Sequence, residues 1–341
     1  MAHQEPSWWY ANNARWQMRV LQPIASLYGW IANARDKATI PERAARPVIC
    51  VGNFTAGGTG KTPMALLVAD LVEAQGGAPW FLSRGYGGRL DGQERGNPAR
   101  HTAAEVGDEP LLLAARAPTV ISRDRKLGAE FIARQAPDNA VIIMDDGLQN
   151  PALAKDLTIA LVDAARGVGN GAVIPAGPLR APLAAQLART DVVVINGASG
   201  TAARDHLAAA PDAARIPILS AAPAPRDETQ GLAGARVIAF AGIANPERFF
   251  ALAERLGATV LERHVFADHQ TLSDADAARL IAQADEANAL LLTTEKDYVR
   301  LAGLDGARIA LRDRAKILAI QLQMPEKDRE ALRSAIAKLI N

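Results

Sequence analysis

The chain has 341 residues, 49% apolar and 22% charged, the balance of a folded globular protein; disorder is excluded as its main state. Lys and Arg number 38 against 37 Asp and Glu, leaving +1, so no overall field draws the chain to nucleic acid and an anionic partner has to be held locally. The length suggests two domains, and the single Cys50, in an apolar run, reads as a buried strand residue in a reducing compartment.

Four of the five Trp (Trp8, Trp9, Trp16, Trp30) fall near the start, beside Tyr10 and Tyr28. Met18, Val20, Leu21, Ile24, Leu27 and Ile31 recur there at about helical spacing, and Arg15, Arg19, Arg35 and Lys37 add positive charge. Residues 1–40 therefore predict an amphipathic basic helix with a possible kink at Pro23. Neither a membrane span nor a signal peptide is expected. Two roles stay open: lying in the surface of the cytoplasmic leaflet, or packing on the protein's own core.

Pro47 to Val51 predicts a strand, and a glycine-rich loop then runs to a helix that starts at Pro63 and stops at Gly76 and Gly77. Between them, Thr55-Ala56-Gly57-Gly58-Thr59-Gly60-Lys61-Thr62 has the form of a Walker A loop, except that Thr55 stands where the usual pattern has Gly. Glycines let the backbone N–H groups turn inward round an anion at a helix N-terminus. Lys61 then reaches the β- and γ-phosphates of ATP, and the Thr62 hydroxyl ligates Mg²⁺.

A strand at Trp80 to Leu82 leads into Ser83-Arg84-Gly85-Tyr86-Gly87-Gly88, a loop that binds phosphate or simply turns the chain. Gly107-Asp108-Glu109-Pro110, read alone, caps the helix that follows. Ala140 to Met144 is a buried strand ending in Asp145 and Asp146, at the strand end where parallel sheets bind ligands; either acid suits a Walker B role at Mg²⁺, and a surface turn is the alternative. Strands at Leu157 to Val162 and Val192 to Ile195 extend this unit, and residues 198–234 read as a connection.

Beyond it, strands at Val237 to Ala241, Ala258 to Leu261 and Leu290 to Thr293 alternate with helices at Pro246 to Leu256 and Asp274 to Ala284. A late strand, Ile317 to Leu322, and a helix, Lys327 to Ile340, close the chain. The expected fold is α/β: a P-loop NTPase-like, mainly parallel sheet domain over 41–225 and a smaller α/β C-terminal domain over 226–341, after the N-terminal amphipathic helix. A cleft between the two is expected to close on the substrates. Rival motifs fail: Gly167-Val168-Gly169-Asn170-Gly171 lacks its third dinucleotide Gly at Ala172, Gly197 to Gly200 breaks the nucleophile-elbow spacing, and no His or Cys pair has zinc spacing.

The ordered set resembles the tetraacyldisaccharide 4′-kinase family, the lipid A 4′-kinases of Gram-negative bacteria. It comprises Leu21-Gln22-Pro23, Val51-Gly52-Asn53, Gly57 to Pro63, Ser83 to Gly87 and Gly107 to Pro110. It continues with Asp145-Asp146-Gly147-Leu148-Gln149, Arg166 to Gly171, Pro175 to Arg180, Asp268-His269 and Thr294-Glu295-Lys296-Asp297. The resemblance implies transfer of the ATP γ-phosphoryl group to the 4′-hydroxyl of a lipid-borne glucosamine disaccharide at the inner face of the inner membrane. It makes Asp108 the general base with His269 as its dyad partner, sets Asp145 and Asp146 at Mg²⁺ and the phosphates, and places Arg84, Tyr86, Glu109, Gln149 and Arg180 near the substrates. Two positions depart from the family pattern: Ala181 replaces a Glu expected near the metal or nucleotide, and Asn150 replaces a His. No obligate protein partner is evident. The other classes considered are a deviant Walker-type ATPase switch, which wants Lys where Ala56 stands, and a P-loop kinase of a soluble metabolite, which leaves the aromatic N-terminus unexplained.

Overall fold

The computed structural model describes residues 5–11, 15–90, 92–197, 201–208, 210–226, 231–268 and 270–340. The first part of the chain gives strands β1 (Val48–Asn53), β2 (Ala78–Ser83), β3 (Glu94–Arg95), β4 (Thr119–Ile121), β5 (Ala140–Asp145), β6 (Leu157–Asp163), β7 (Val192–Asn196) and β8 (Ile218–Pro225). Its helices are α1 (Arg15–Ala38), α2 (Lys61–Glu73), α3 (Ala103–Val106), α4 (Asp108–Ala114), α5 (Arg125–Gln135), α6 (Leu183–Leu187) and α7 (Thr201–Ala208). The rest gives β9 (Arg236–Ala241), β10 (Thr259–Val265), β11 (Leu290–Thr294), β12 (Ala315–Leu318) and β13 (Ile320–Gln323), with α8 (Pro246–Arg255), α9 (Asp274–Glu286), α10 (Glu295–Arg300), α11 (Ala307–Arg314) and α12 (Glu326–Ile340).

Nine strands form the larger sheet in the order β13-β8-β7-β6-β1-β5-β2-β4-β3, and four parallel strands form the smaller one, β10-β9-β11-β12. Only the edge strands β13 and β3 run antiparallel in the larger sheet. The β1 strand sits in its middle between β5 and β6, and all six of its residues are buried, including Cys50. Helices on both faces explain why these strands read as unbroken apolar runs rather than alternating ones. On one face Met64, Val68 and Leu71 of α2, with Leu332 and Ile336 of α12, cover Ile49, Val51, Ile143 and Ile159.

Two expectations need correction. Residues 198–234 are not a plain connection, because they carry α7 and the strand β8. Pro223 and Pro225 disguised that strand; they lie past the residues that pair with β7, where only β13 runs alongside. The single strand expected at Ile317 to Leu322 is two strands in different sheets, β12 in the smaller and β13 in the larger. The expected unit 226–341 thus gives its last strand and helix to the larger sheet, and α12 packs on α2.

Helix α1 continues through Pro23. Its inner stripe, Met18, Leu21 and Ala25, packs on Ala172 and Ala176, while Trp16, Val20, Ile24, Leu27 and Ile31, spaced 4, 4, 3 and 4 apart, form an exposed stripe with Trp30 beside it. Among the described residues no helix is long and apolar enough to cross a membrane.

Candidate active site

Phosphate loop, β5 acids and the α4 turn meet at the C-terminal ends of the central strands. The loop leaves β1 as Asn53 reaches across it, its Nδ2 donating to the carbonyls of Thr55 at 2.7 Å and Gly57 at 3.3 Å. Gly57 and Gly60 have φ of 92° and 90°, a left-handed backbone that only glycine adopts freely, and Gly60 is the N-cap from which α2 starts at Lys61. Thr59 and Thr62 are buried. Thr55 and Ala56 are tied to the 178–180 segment instead: Ala56 N–H donates to Pro178 O at 2.8 Å, and Thr55 O accepts from Arg180 Nε at 3.0 Å.

Several buried oxygens around this loop have no hydrogen-bond partner among the described residues: Asn53 Oδ1, Thr59 Oγ1, Asp145 Oδ1, Asn196 Oδ1 and Glu5 Oε1. Buried polar atoms are nearly always satisfied, so such a group clustered at one helix N-terminus marks a ligand site. Asn196, at the end of β7, also donates through Nδ2 to Thr59 O at 2.8 Å.

The two β5 acids differ. Asp146, at φ 48°, is gripped by Arg180 Nη1 at 2.8 and 3.0 Å and faces Lys61 Nζ at 3.7 Å. Burial opposes its ionisation, yet Lys61 and Arg180 hold it below the ordinary carboxylate range. Asp145 is pushed up to about 7 by burial, with the charges of Glu109 and Asp146 adding to it. Behind it the buried Arg125 donates to Asp145 O at 2.9 Å, and burial brings that guanidinium down to about 10. Gln149 Nε2 donates to Asn53 O and to Gln186 Oε1, both at 2.9 Å, which locks the Asp-Asp-Gly turn onto β1.

The α4 turn faces the same cluster. Asp108 is buried, and Oδ1 accepts from the Glu109 N–H at 2.9 Å. Burial works against ionisation of Glu109, but Lys296 and Lys61 outweigh it and keep the carboxyl low; Lys296 Nζ donates to Glu109 Oε1 at 2.7 Å. Arg300 donates to Asp108 Oδ2 through Nε at 2.8 Å and again through Nη2. Arg84 and Tyr86 are exposed on the loop after β2, which packs against Gly107. His269 lies outside the described residues.

Lys61, Thr62, Asp145, Asp146, Asp108, Glu109, Gln149 and Arg180 thus share one site. Thr55 and Ala56 brace it, and Arg84 and Tyr86 stand at its rim. Ala181 is buried and offers only a carbonyl, to Gln186 Nε2 at 2.8 Å, and Asn150 caps its own turn through bonds to Ala152 and Leu153 N–H. Sequence reasoning missed Asn196, Arg125, Arg300 and Glu5. Asn53 and Lys296 were visible only as parts of motifs. Glu5 lies so close to the loop that a Cβ at Gly57 would collide with Oε1, while Oε2 binds Arg166 and Tyr10, each at 3.0 Å.

Comparison with known proteins agrees with this geometry. The family profile "Tetraacyldisaccharide-1-P 4'-kinase" matches residues 17–341. The tetraacyldisaccharide 4'-kinase of Methylobacterium radiotolerans is 46% identical over 333 residues, 97% of each chain. That of Bradyrhizobium sp. BTAi1 is 46% identical over 334 residues, 98% of this chain and 94% of its own. The solved structure of LpxK from Aquifex aeolicus in complex with ATP superposes with a TM-score of 0.72 at 25% identity, covering 95% of this chain and 99% of that one. With the family profile matched over residues 17–341 and a relative 46% identical over nearly the whole length, the chain belongs to the tetraacyldisaccharide-1-P 4'-kinase family.

Proposed function

We propose that this chain transfers the γ-phosphoryl group of ATP to the 4′-hydroxyl of a tetraacyl glucosamine disaccharide 1-phosphate, in lipid A biosynthesis. The observation that carries the reading is the meeting of Lys61, the β5 acids and the α4 acids in one cluster, Asp108 and Asp145 buried and the others half-buried, inside a chain of this family. Phosphoryl transfer asks mainly for in-line positioning and charge neutralisation. Backbone N–H groups of residues 57–62 cradle the phosphates, and Lys61 reaches the β- and γ-groups. Asp108 accepts the proton of the attacking hydroxyl, and His269 is its dyad partner. Arg84, Tyr86, Glu109, Gln149 and Arg180 line the substrates.

The residues present fit a divalent cation. Asp145 is a buried carboxyl with an unpartnered oxygen and a raised pKa, which an adjacent cation would relieve, and the Thr62 hydroxyl is beside the loop. Asp145 and Thr62 would hold Mg²⁺. When bound, the ion supplies neutralisation of charge on the transferring phosphoryl group. Asp146 serves the same end indirectly, by fixing Lys61 and Arg180.

Incubation with labelled ATP, Mg²⁺ and a tetraacyl disaccharide 1-phosphate in detergent should yield a bisphosphorylated lipid; no transfer would overturn the reading. We read the exposed stripe of α1 as a surface that lies in the cytoplasmic leaflet of the inner membrane beside Arg19 and Arg35. Trp16→Glu with Trp30→Glu should then abolish sedimentation with anionic vesicles, and unchanged sedimentation would refute it. The parts built on the two sheets, 41–225 and the stretch from 226 to β12, are expected to close on the substrates. ATP should alter small-angle scattering, and identical profiles would count against closure.

A further inference from the structure

Arg300 lies at the end of α10, on the smaller-sheet side, yet its side chain is only 5% exposed and serves acids from both sides. Its Nη1 donates to Gly242 O at 2.5 Å and to Asp297 Oδ1 at 2.8 Å. Nε and Nη2 both turn to Asp108 Oδ2, and Asp268 Oδ1 stands 3.9 Å from Nη2. Asp297 is itself fixed, with Oδ2 accepting from the Thr294 hydroxyl at 2.6 Å and from the Gly242 N–H at 3.1 Å. The guanidinium is therefore a rigid strut between a fully tied carboxylate of α10 and the acid at the start of α4. Only a planar fork with five donors can grip both ends.

We propose that Arg300 is a positioning residue for phosphoryl transfer: anchored on Asp297 and Gly242, it holds the Asp108 carboxyl in one orientation toward the acceptor hydroxyl. Each carboxylate oxygen has two lone-pair sites. Oδ1 uses one on the Glu109 N–H, so the α4 backbone and Arg300 together fix the plane of the carboxylate. The strut also makes the base dependent on the smaller sheet, which supplies Lys296 to Glu109 in the same way. This inference rests on the reading of Asp108 as the base, and the experiment separates the two.

Arg300→Ala should lower kcat about 10²-fold, within the range of a misplaced base, and leave the KM for ATP within about twofold, since uniform nucleotide binding is untouched. Arg300→Lys keeps one charge but cannot bridge, and should fall between Arg300→Ala and the parent. Free guanidinium should restore part of the kcat of Arg300→Ala. In an Asp108→Asn background, neither the second substitution nor guanidinium should change the rate further, because residues acting as one unit are non-additive. Thermal melting checks that each variant is folded; if Arg300→Ala is not, Arg300→Lys in both backgrounds decides. Additive losses, a loss confined to KM, or full activity without Arg300 would overturn the inference while leaving Asp108 as base. Near-normal turnover of Asp108→Asn would overturn both.

Discussion

Asp108 and Glu109 at the start of α4 and Asp145 and Asp146 at the end of β5 carry the same formal charge within one cluster, but their environments treat them differently. The α4 pair is matched by fixed cations, Arg300 and Lys296, reaching over from the smaller sheet. In the β5 pair only Asp146 is matched, by Lys61 and Arg180, while Asp145 keeps a buried oxygen without a donor and a pKa of about 7. A proton acceptor has to be ionised before its substrate arrives, so permanent partners suit it. A cation ligand is better left short of positive charge, because the ion then binds where the protein alone is least satisfied.

The largest effect that tests this contrast is on turnover. Asp108→Asn should cut kcat by about 10²–10⁴-fold, the usual worth of a positioned base, with ATP affinity nearly unchanged by calorimetric titration. It should also lower the melting temperature, because a buried guanidinium loses one of its carboxylates, at a cost of about 1–3 kcal/mol. Asp145→Asn should likewise depress turnover and raise the Mg²⁺ concentration needed, but its stability effect has the opposite sign. The folded-state pKa of Asp145, about 7, lies above its ordinary value, so the native protein binds this proton more tightly than the unfolded chain does. Its contribution to stability is then present at low pH and lost as pH rises toward 7. Removing the charge should therefore raise the cation-free melting temperature relative to the parent, more at pH 8 than at pH 5. Equal shifts at both pH values, or a loss at pH 8, would break the contrast.

How much of this was legible in the sequence follows from chain distance. The β1-loop-α2 unit is local, so glycines, Lys61 and Thr62 announce it within a few residues. Asp145 and Asp146 were visible because an apolar run ends on them. Asp108 and Arg300 are 192 residues apart, and nothing in either local pattern names the other. The Thr294 to Asp297 segment stood out as one of the motifs that carry the family resemblance, and the structure explains it: Thr294 caps α10, which fixes the helix that aims Lys296 and Arg300. Asn196 reads as the residue just past a strand until the larger sheet brings β7 two strands from β1. In the fold, strands with continuous β-branched runs were plain, whereas β8 was hidden by its prolines and the β12/β13 pair by a continuous run that changes sheets at Ala319.

Glu5 is a third kind of acid at this site, and it gives the smallest effect expected. Its carboxylate is held by Arg166 and Tyr10 at the edge of the phosphate loop, against Gly57, on a segment whose next turn docks through Trp9 Nε1 to Pro175 O at 3.2 Å. Burial and the Glu5 charge push the Tyr10 phenol well above its ordinary range, so that partner stays neutral and only Arg166 offsets the carboxylate directly. A negative charge at the mouth of a loop built for phosphates opposes their entry, and Arg166 cannot serve them while it serves Glu5. Glu5→Gln removes the repulsion and frees the guanidinium, two changes that act in the same direction. Affinity for ATP should rise by about twofold to tenfold in dilute buffer, the scale of one partly screened charge at several ångströms. Ionic strength should shrink the difference as the screening length falls below that separation. Titration of parent and variant at low and high salt measures both; an unchanged or weakened affinity would mean that the Glu5 carboxylate stands clear of the phosphates and serves only to hold the N-terminal segment in place.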